Sequence, residues 1–249
     1  MRAISKVKQS MAGQNISESG LVSSGQGDVH PRLEAIVRKH LETHWSQPLH
    51  LPTLDTWHEL ETHPSFSAVM PLILDSGCGT GESTTRLAQQ FPSHLVIGVD
   101  RSIKRLAKSG VSSAFFSRDN FILVRAELAT FWRLLLMNGF SPQRHYLFYP
   151  NPWPKPGHLP RRWHGHPVFP DLLALGGEIE LRCNWSVYAL EFARAAGLAT
   201  QALIGVVELK PDIGISPFER KYLERGQSLY SVLVPAQHTQ AFRFARRGS

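Results

Sequence analysis

The sequence predicts an α/β fold, a mostly parallel seven-stranded sheet flanked by helices, and three observations lead there. From Pro71 onward, short apolar runs alternate with stretches of helical periodicity. A glycine-rich turn, Asp75-Ser76-Gly77-Cys78-Gly79-Thr80-Gly81, follows the first such run directly and opens a helix. An acid, Asp100, then ends the second run. Parallel neighbours cannot be joined by a tight hairpin, so an alternation of this kind implies strands linked by crossover helices.

Taken in order, residues 1–28 are rich in Ser, Gly and Gln, with too few large apolar side chains to offset the entropy of ordering, and read as a flexible basic arm. Leu33, Ile36, Val37, His40 and Leu41 recur at helical spacing after Pro31, giving an amphipathic helix with proline in its first turn. A second short helix covers Leu54–Glu61, and these two make a helical segment over 29–65. The domain proper is expected over 66–249. Its strands are LILD, HLVIGVD, NFILVRA, RHYLFYP and GEIELRC, separated by helices at about 81–91, 102–110, 128–138, 168–174 and 185–197. ALIGVVELK and SLYSVLV add two strands around SPFERKYLERG, which reads as a loop with a short helix.

A chain of 249 residues that is 42% hydrophobic can bury one large core without disulfides or metal. Cys78 and Cys183 fall in different elements and show no metal-ligand spacing, which fits a reducing, cytoplasmic setting. The basic N-terminus lacks the apolar stretch of a secretory signal, and no run of about 18 apolar residues exists, so a soluble protein away from membranes is expected. The net charge of +7 favours a polyanionic partner such as nucleic acid.

Gly77, Gly79 and Gly81 let the chain turn tightly and let a ligand approach the backbone, while the helix start presents free amides. A dinucleotide fingerprint would need glycine at position 82, where Glu82 stands, and this anion also argues against a pyrophosphate. Asp100 is placed to accept the ribose hydroxyls of an adenosine, and Ala126 and Glu127, at the end of the third strand, can address an adenine edge. Asp75 and Asp100 could instead cap helices, but three strand ends in this order favour a crevice at the switch point of an open sheet.

The fourth strand runs into Tyr149-Pro150-Asn151-Pro152-Trp153-Pro154-Lys155, then Pro156-Gly157-His158-Leu159-Pro160-Arg161-Arg162-Trp163. Prolines stiffen this turn and hold Asn151 and Trp153 at the strand's carboxyl end. Here the chain resembles the bacterial tRNA guanine-N7 methyltransferases, whose fourth strand ends in F-P-D-P-W-x-K before a basic R-H-x-K-R-R run. The resemblance covers roughly residues 70–235 and implies a Rossmann-like class I methyltransferase fold with S-adenosyl-L-methionine as cofactor. It also implies cofactor contacts for Asp75, Asp100 and Glu127, a tRNA contact for Lys155, and matches for His158, Arg161 and Arg162 in the basic run. Cys183-Asn184-Trp185-Ser186-Val187-Tyr188 is similar to the family's T-D-x-x-x-Y, and Ser216-Pro217-Phe218-Glu219 to its T-x-F-E substrate loop. Asn151 and Asn184 replace family aspartates, and Pro156 and Gly157 replace basic residues.

Methyl transfer from a sulfonium is an in-line displacement, so the protein's task is alignment and exclusion of water. Guanine N7 carries no proton; a carboxylate at the turn would accept from N1–H and N2–H and favour the cationic product, whereas Asn151 offers one acceptor and one donor without charge. Asn-Pro-x-aromatic is also similar to the N-P-P-(Y/F/W) motif of exocyclic amino methyltransferases, in which Trp153 would stack on the base. Trp153 could equally be a packing residue. Lys155, Arg161 and Arg162 would hold phosphates of the tRNA. His158, His164 and His166 form a histidine-rich RNA-facing loop, with no metal required by the reaction. A non-catalytic RNA-binding role would account for both lost aspartates.

Overall fold

The computed structural model describes residues 21–64, 66 and 70–247. Most of the expected N-terminal arm, residues 1–20, lies outside the described residues. Two helices come first, α1 (Leu33–Glu42) and α2 (Leu51–Glu61). α1 buries Leu33 and Val37, and α2 buries Trp57 and Leu60, so the helical segment is part of the main core.

The strands are β1 (Leu72–Ser76), β2 (Leu95–Asp100), β3 (Phe115–Arg118), β4 (Phe121–Arg125), β5 (Arg144–Phe148), β6 (Glu178–Cys183), β7 (Val206–Leu209) and β8 (Leu229–Val234). They form one sheet in the order β3-β4-β2-β1-β5-β6-β8-β7. The five central strands, β4 through β6, run parallel, while β3 and β8 are antiparallel to their neighbours. Connections reverse direction between β1 and β5, which makes the switch-point crevice.

The sheet thus has eight strands rather than the expected seven. The extra one is β3, which folds back on β4 through Asp119 and Asn120, with Arg118 opposite Phe121. Asp119 takes the left-handed φ of 50° that so short a hairpin demands. Asn120 secures it by donating its side-chain amide to the carbonyls of Ala88, Phe91 and His94 at 3.0, 3.1 and 2.9 Å. β3 is half-exposed and carries no apolar alternation, so its sequence gave no strand signal.

The remaining helices are α3 (Glu82–Gln90), α4 (Ile103–Leu106), α5 (Leu128–Met137), α6 (Phe169–Ala174), α7 (Ser186–Thr200), α8 (Pro217–Glu224) and α9 (Ala236–Arg247). α9 had not been expected; it is fixed by Phe242, which is buried, and by Thr239, whose hydroxyl donates to the Gly177 carbonyl at 2.6 Å. Central strands are buried on both faces: in β1, Ile73 packs into one core cluster and Leu74 into the other. That two-sided burial is why the strands read as continuous apolar runs. α3 lies so close to β2 that a Cβ on Gly98 would sit 2.1 Å from the Thr84 hydroxyl.

Candidate cofactor and acceptor site

The turn after β1 is left-handed at Gly77, Gly79 and Gly81, with φ of 83°, 61° and 80°. The amides of Gly77 and Cys78 donate to the Val99 carbonyl at 2.8 and 3.1 Å, tying the turn to β2. A Cβ on Gly77 or Gly79 would meet nothing within 4 Å, so both face open space, whereas one on Gly81 would strike Leu123 at 2.6 Å. The first two glycines leave room for a ligand; the third lets α3 pack on the sheet. Glu82 points away to α8, where Arg220 donates to it at 2.9 Å.

Asp75, expected to touch the cofactor, lies beneath the turn. Its carboxylate is wholly buried, and one oxygen accepts the hydroxyls of Ser83 at 2.6 Å and Thr84 at 2.7 Å. Burial pushes its pKa up to about 6 against the lowering effect of those two bonds. Asp75 therefore braces the start of α3 from beneath the turn. Asp100 is different: it accepts from Gly79 N–H at 3.0 Å, Ser102 N–H at 2.7 Å and Arg105 at 3.0 Å. A carboxylate has about four lone-pair sites, so one is left for a ligand hydroxyl.

At the end of β4 the Ala126 amide donates to the Asp100 carbonyl at 3.2 Å, joining the two strand ends. Glu127 is the N-cap of α5, accepting from the amides of Ala129 at 3.0 Å and Thr130 at 2.7 Å. Each carboxylate oxygen thus holds one amide of the helix start and keeps a lone pair. Beside it opens a cleft of about 570 Å³, walled by Arg101, Arg125, Ala126 and Glu127 and by Thr53 and Thr56 of α2. The Thr53 hydroxyl accepts the Glu127 amide at 2.8 Å. Sequence reading missed this α2 wall because it precedes the glycine turn and carries no motif.

The turn after β5 holds two non-glycine residues in the left-handed region, Tyr149 at φ 52° and Trp153 at φ 45°. Asn151 is exposed, and its Oδ1 accepts the Trp153 amide at 3.3 Å. Trp153 is half-buried; the Arg161 guanidinium lies over its ring at 4.9 Å and His158 meets it edge-on at 5.6 Å. Packing thus claims part of the ring that was a candidate for base stacking. Lys155 and Arg161 are exposed, as phosphate-facing residues must be.

Arg162 is not. Its side chain is completely buried and ion-paired to Glu191 of α7 at 2.5 Å, so its expected role in holding phosphate is withdrawn. A guanidinium enclosed this way can reach no RNA. His164 is buried on the same Glu191, at 2.8 Å, while His166 packs edge-on against Trp45. The three histidines therefore do not converge, and among the described residues no group of His, Cys, Asp and Glu could hold a metal ion.

Asn184, at the end of β6, donates its side-chain amide to the Gln227 side chain at 3.0 Å and lines a cavity of about 720 Å³ with Ser186, Arg225, Gln227 and Tyr230. Ser216 and Glu219, expected in a substrate loop, are both buried. The Ser216 hydroxyl caps α8 by accepting the Glu219 amide at 3.2 Å, and Glu219 accepts from Arg182 at 3.2 Å. The Ser216-Pro217-Phe218-Glu219 segment is thus a helix start. Burial, with the Glu219 charge second, drives the Tyr149 hydroxyl pKa far up, keeping it protonated under the turn.

A family model described as "Putative methyltransferase" matches residues 69–231. The tRNA (guanine-N(7)-)-methyltransferase of Nocardioides sp. is 29% identical over 175 residues, covering 66% of this chain and 67% of that protein. The tRNA (guanine-N(7)-)-methyltransferase of Mycobacterium ulcerans is 28% identical over 229 residues, covering 84% and 81% respectively. Among solved structures, that of the 16S rRNA methyltransferase KamB matches 76% of this chain and 95% of that one at 16% identity, with a TM-score of 0.48.

Proposed function

We propose, from the premise that the chain belongs to the methyltransferase family whose model spans residues 69–231, that it transfers a methyl group from S-adenosyl-L-methionine to guanine N7 in tRNA. The observation that carries this reading is the place of the Asn151 turn. β5 lies between β1 and β6, so the turn stands between the glycine turn with its cleft on one side and the Asn184 cavity on the other. A methyl acceptor and a methyl donor must meet at such a boundary. Similarity to proteins named tRNA (guanine-N(7)-)-methyltransferase supports the choice of acceptor.

The residues present fit the cofactor. Gly77 and Gly79 leave the space a Cβ would fill, and the cleft along Ala126 has the size for a purine. S-adenosyl-L-methionine supplies an electrophilic methyl on a sulfonium. Asp100 accepts a ribose hydroxyl with its remaining lone pair while its other bonds hold the glycine turn still. Asn151 orients the base by accepting from one N–H of its edge, and the prolines around it keep that orientation fixed. Exposed Lys155 and Arg161 bind phosphate and set register rather than base identity. The partner is tRNA, and both cysteines are free and buried, which suits the cytoplasm where tRNA is processed.

A second reading rests on Asn151 being an amide: its Oδ1 could accept from an exocyclic NH2 in place of guanine N1–H. The test is transfer of labelled methyl from S-adenosyl-L-methionine to unmodified tRNA, followed by nucleoside analysis. A 7-methylguanosine peak is expected. An N-methylated amine transfers the assignment to the second reading, and cofactor binding without labelled RNA leaves a non-catalytic RNA-binding role.

A further inference from the structure

The turn that presents Asn151 is bent through two left-handed non-glycine residues, Tyr149 and Trp153, and such a backbone persists only where its surroundings over-determine it. What surrounds it is a buried polar network. The Arg162 Nε and Nη2 both donate to the Trp153 carbonyl, at 3.2 and 3.1 Å, and Nη2 also reaches the Lys155 carbonyl at 3.3 Å. The guanidinium is anchored in turn by Glu191 at 2.5 Å and lies over the Trp185 ring at 4.9 Å.

The rest of this network comes from the N-terminal side of the chain. Gln26 donates its Nε2 to Glu191 Oε1 at 2.6 Å and accepts Arg162 Nη2 on its own Oε1 at 3.0 Å. The His30 amide donates to the same Glu191 oxygen at 2.9 Å, and the Ser24 hydroxyl donates to the Pro154 carbonyl at 2.5 Å. Each oxygen of Glu191 thereby has two donors, because His164 Nε2 shares the other one with Arg162 at 2.8 Å. Burial alone would raise the Glu191 pKa, but the hydrogen bonds and charge of His164 and Arg162 hold it below the usual carboxylate range.

We propose that Arg162, Glu191 and Gln26 are positioning residues for methyl transfer, the segment Ser24–His30 acting as a strap that closes a buried ion pair over the acceptor turn and holds its left-handed geometry. The inference rests on reading the Asn151 turn as the acceptor site. A buried ion pair adds stability only when all its donors and acceptors are matched, and it is a good device for imposing one geometry. Opening the strap leaves Arg162 and Glu191 each short of a partner, and the released guanidinium no longer fixes the Trp153 carbonyl. None of these residues touches the reacting atoms.

The test uses the full chain and two variants, Gln26→Ala and Glu191→Gln, with three readouts. Hydrogen exchange of the amides in 151–163 should rise at least tenfold in Gln26→Ala while β1, β2 and β4 exchange as in wild type. Turnover of labelled methyl onto an unmodified tRNA transcript should fall at least tenfold in kcat, with the dissociation constant for S-adenosyl-L-methionine unchanged within twofold. Glu191→Gln, which keeps shape but removes charge, should show the same pattern. Unchanged exchange in 151–163 for both variants, or a rise spread equally over β1, β2 and β4, overturns the proposal. If wild type labels no tRNA, the exchange result still decides whether the strap holds the turn, so failure of that contact is distinct from failure of the proposed reaction.

Discussion

Asp100 accepts the backbone N–H of Gly79 at 3.0 Å across 21 residues of sequence, so the acid at the end of β2 and the glycine turn after β1 are one mechanical unit. The same carboxylate holds Ser102 N–H and Arg105, which leaves it rigid as well as anionic. Asp100→Ala should therefore lose both a ribose contact and the shape of the turn. An increase of roughly 10- to 100-fold in the S-adenosyl-L-methionine dissociation constant is expected, about 1.4–3 kcal/mol, measured by calorimetry. An affinity within twofold of wild type removes Asp100 from the ribose role.

Arg161 and Arg162 are neighbours in sequence with opposite environments, one exposed over Trp153 and one enclosed against Glu191. Arg162→Ala strands a buried carboxylate and should cost roughly 3–5 kcal/mol of unfolding free energy. Arg161→Ala should leave the melting temperature nearly unchanged, weaken tRNA binding, and lower the slope of log K against log salt by about 1. Denaturant melts and salt-titrated filter binding separate the two. Equal destabilisation by both variants contradicts the assignment.

Asn151 is exposed at the tip of its turn, where its Oδ1 accepts the Trp153 amide, so a change there should alter chemistry without unfolding the chain. Asn151→Asp restores a charge facing a product that becomes cationic. Its kcat/KM for 7-methylguanosine formation should rise about 10-fold or more, with the melting point within a degree or two. No gain, or a loss, points to a different acceptor atom.

Burial drives the pKa of His145 down to about 3, and its imidazole shares a 2.8 Å hydrogen bond with the Ser76 hydroxyl, which itself accepts from Trp132 Nε1 at 2.9 Å. A histidine neutral when folded but titrating near 6.5 when unfolded contributes stability above that pH, and loses it as pH falls. Between pH 7 and pH 5 the loss is about 2 kcal/mol. Asp75 titrates oppositely, its raised pKa favouring the folded state in acid, so the contribution is read as a difference. The stability gap between wild type and His145→Gln should narrow by about 2 kcal/mol over that range in urea melts. A gap independent of pH would falsify the neutral-histidine assignment.

Much of the architecture was legible because it is written in local signals. β1, β2 and β4 are runs of buried apolar residues and β6 alternates apolar with charged ones, the helices between them carry 3.6-residue periodicity, and the glycine turn needs backbone angles that few other residues adopt. β3 and α9 escaped notice for the same reason in reverse: β3 is half-exposed without alternation, and α9 is a polar helix held mainly by Phe242 and Thr239. The placement of Gly77, Gly79, Asp100 and Asn151 at strand ends was legible, because it follows from the strands themselves. At Asp75, Glu127 and Ser216 the sequence did not show that a polar residue next to a turn also serves a helix start.

By itself the sequence determined the fold class, the crevice at the sheet's switch point and the kind of chemistry placed there, because periodicity, glycine spacing and strand-end acids act over a few residues at a time. Only the tertiary structure decided which charges remain available for that chemistry. Arg161 and Arg162 have the same side chain and adjacent positions, yet one meets solvent and the other meets Glu191, 29 residues away, and Gln26, 136 residues away. Burial of a charge depends on what long-range packing brings opposite it, since desolvation is tolerable only with complete pairing. No local pattern in the sequence encodes that partner.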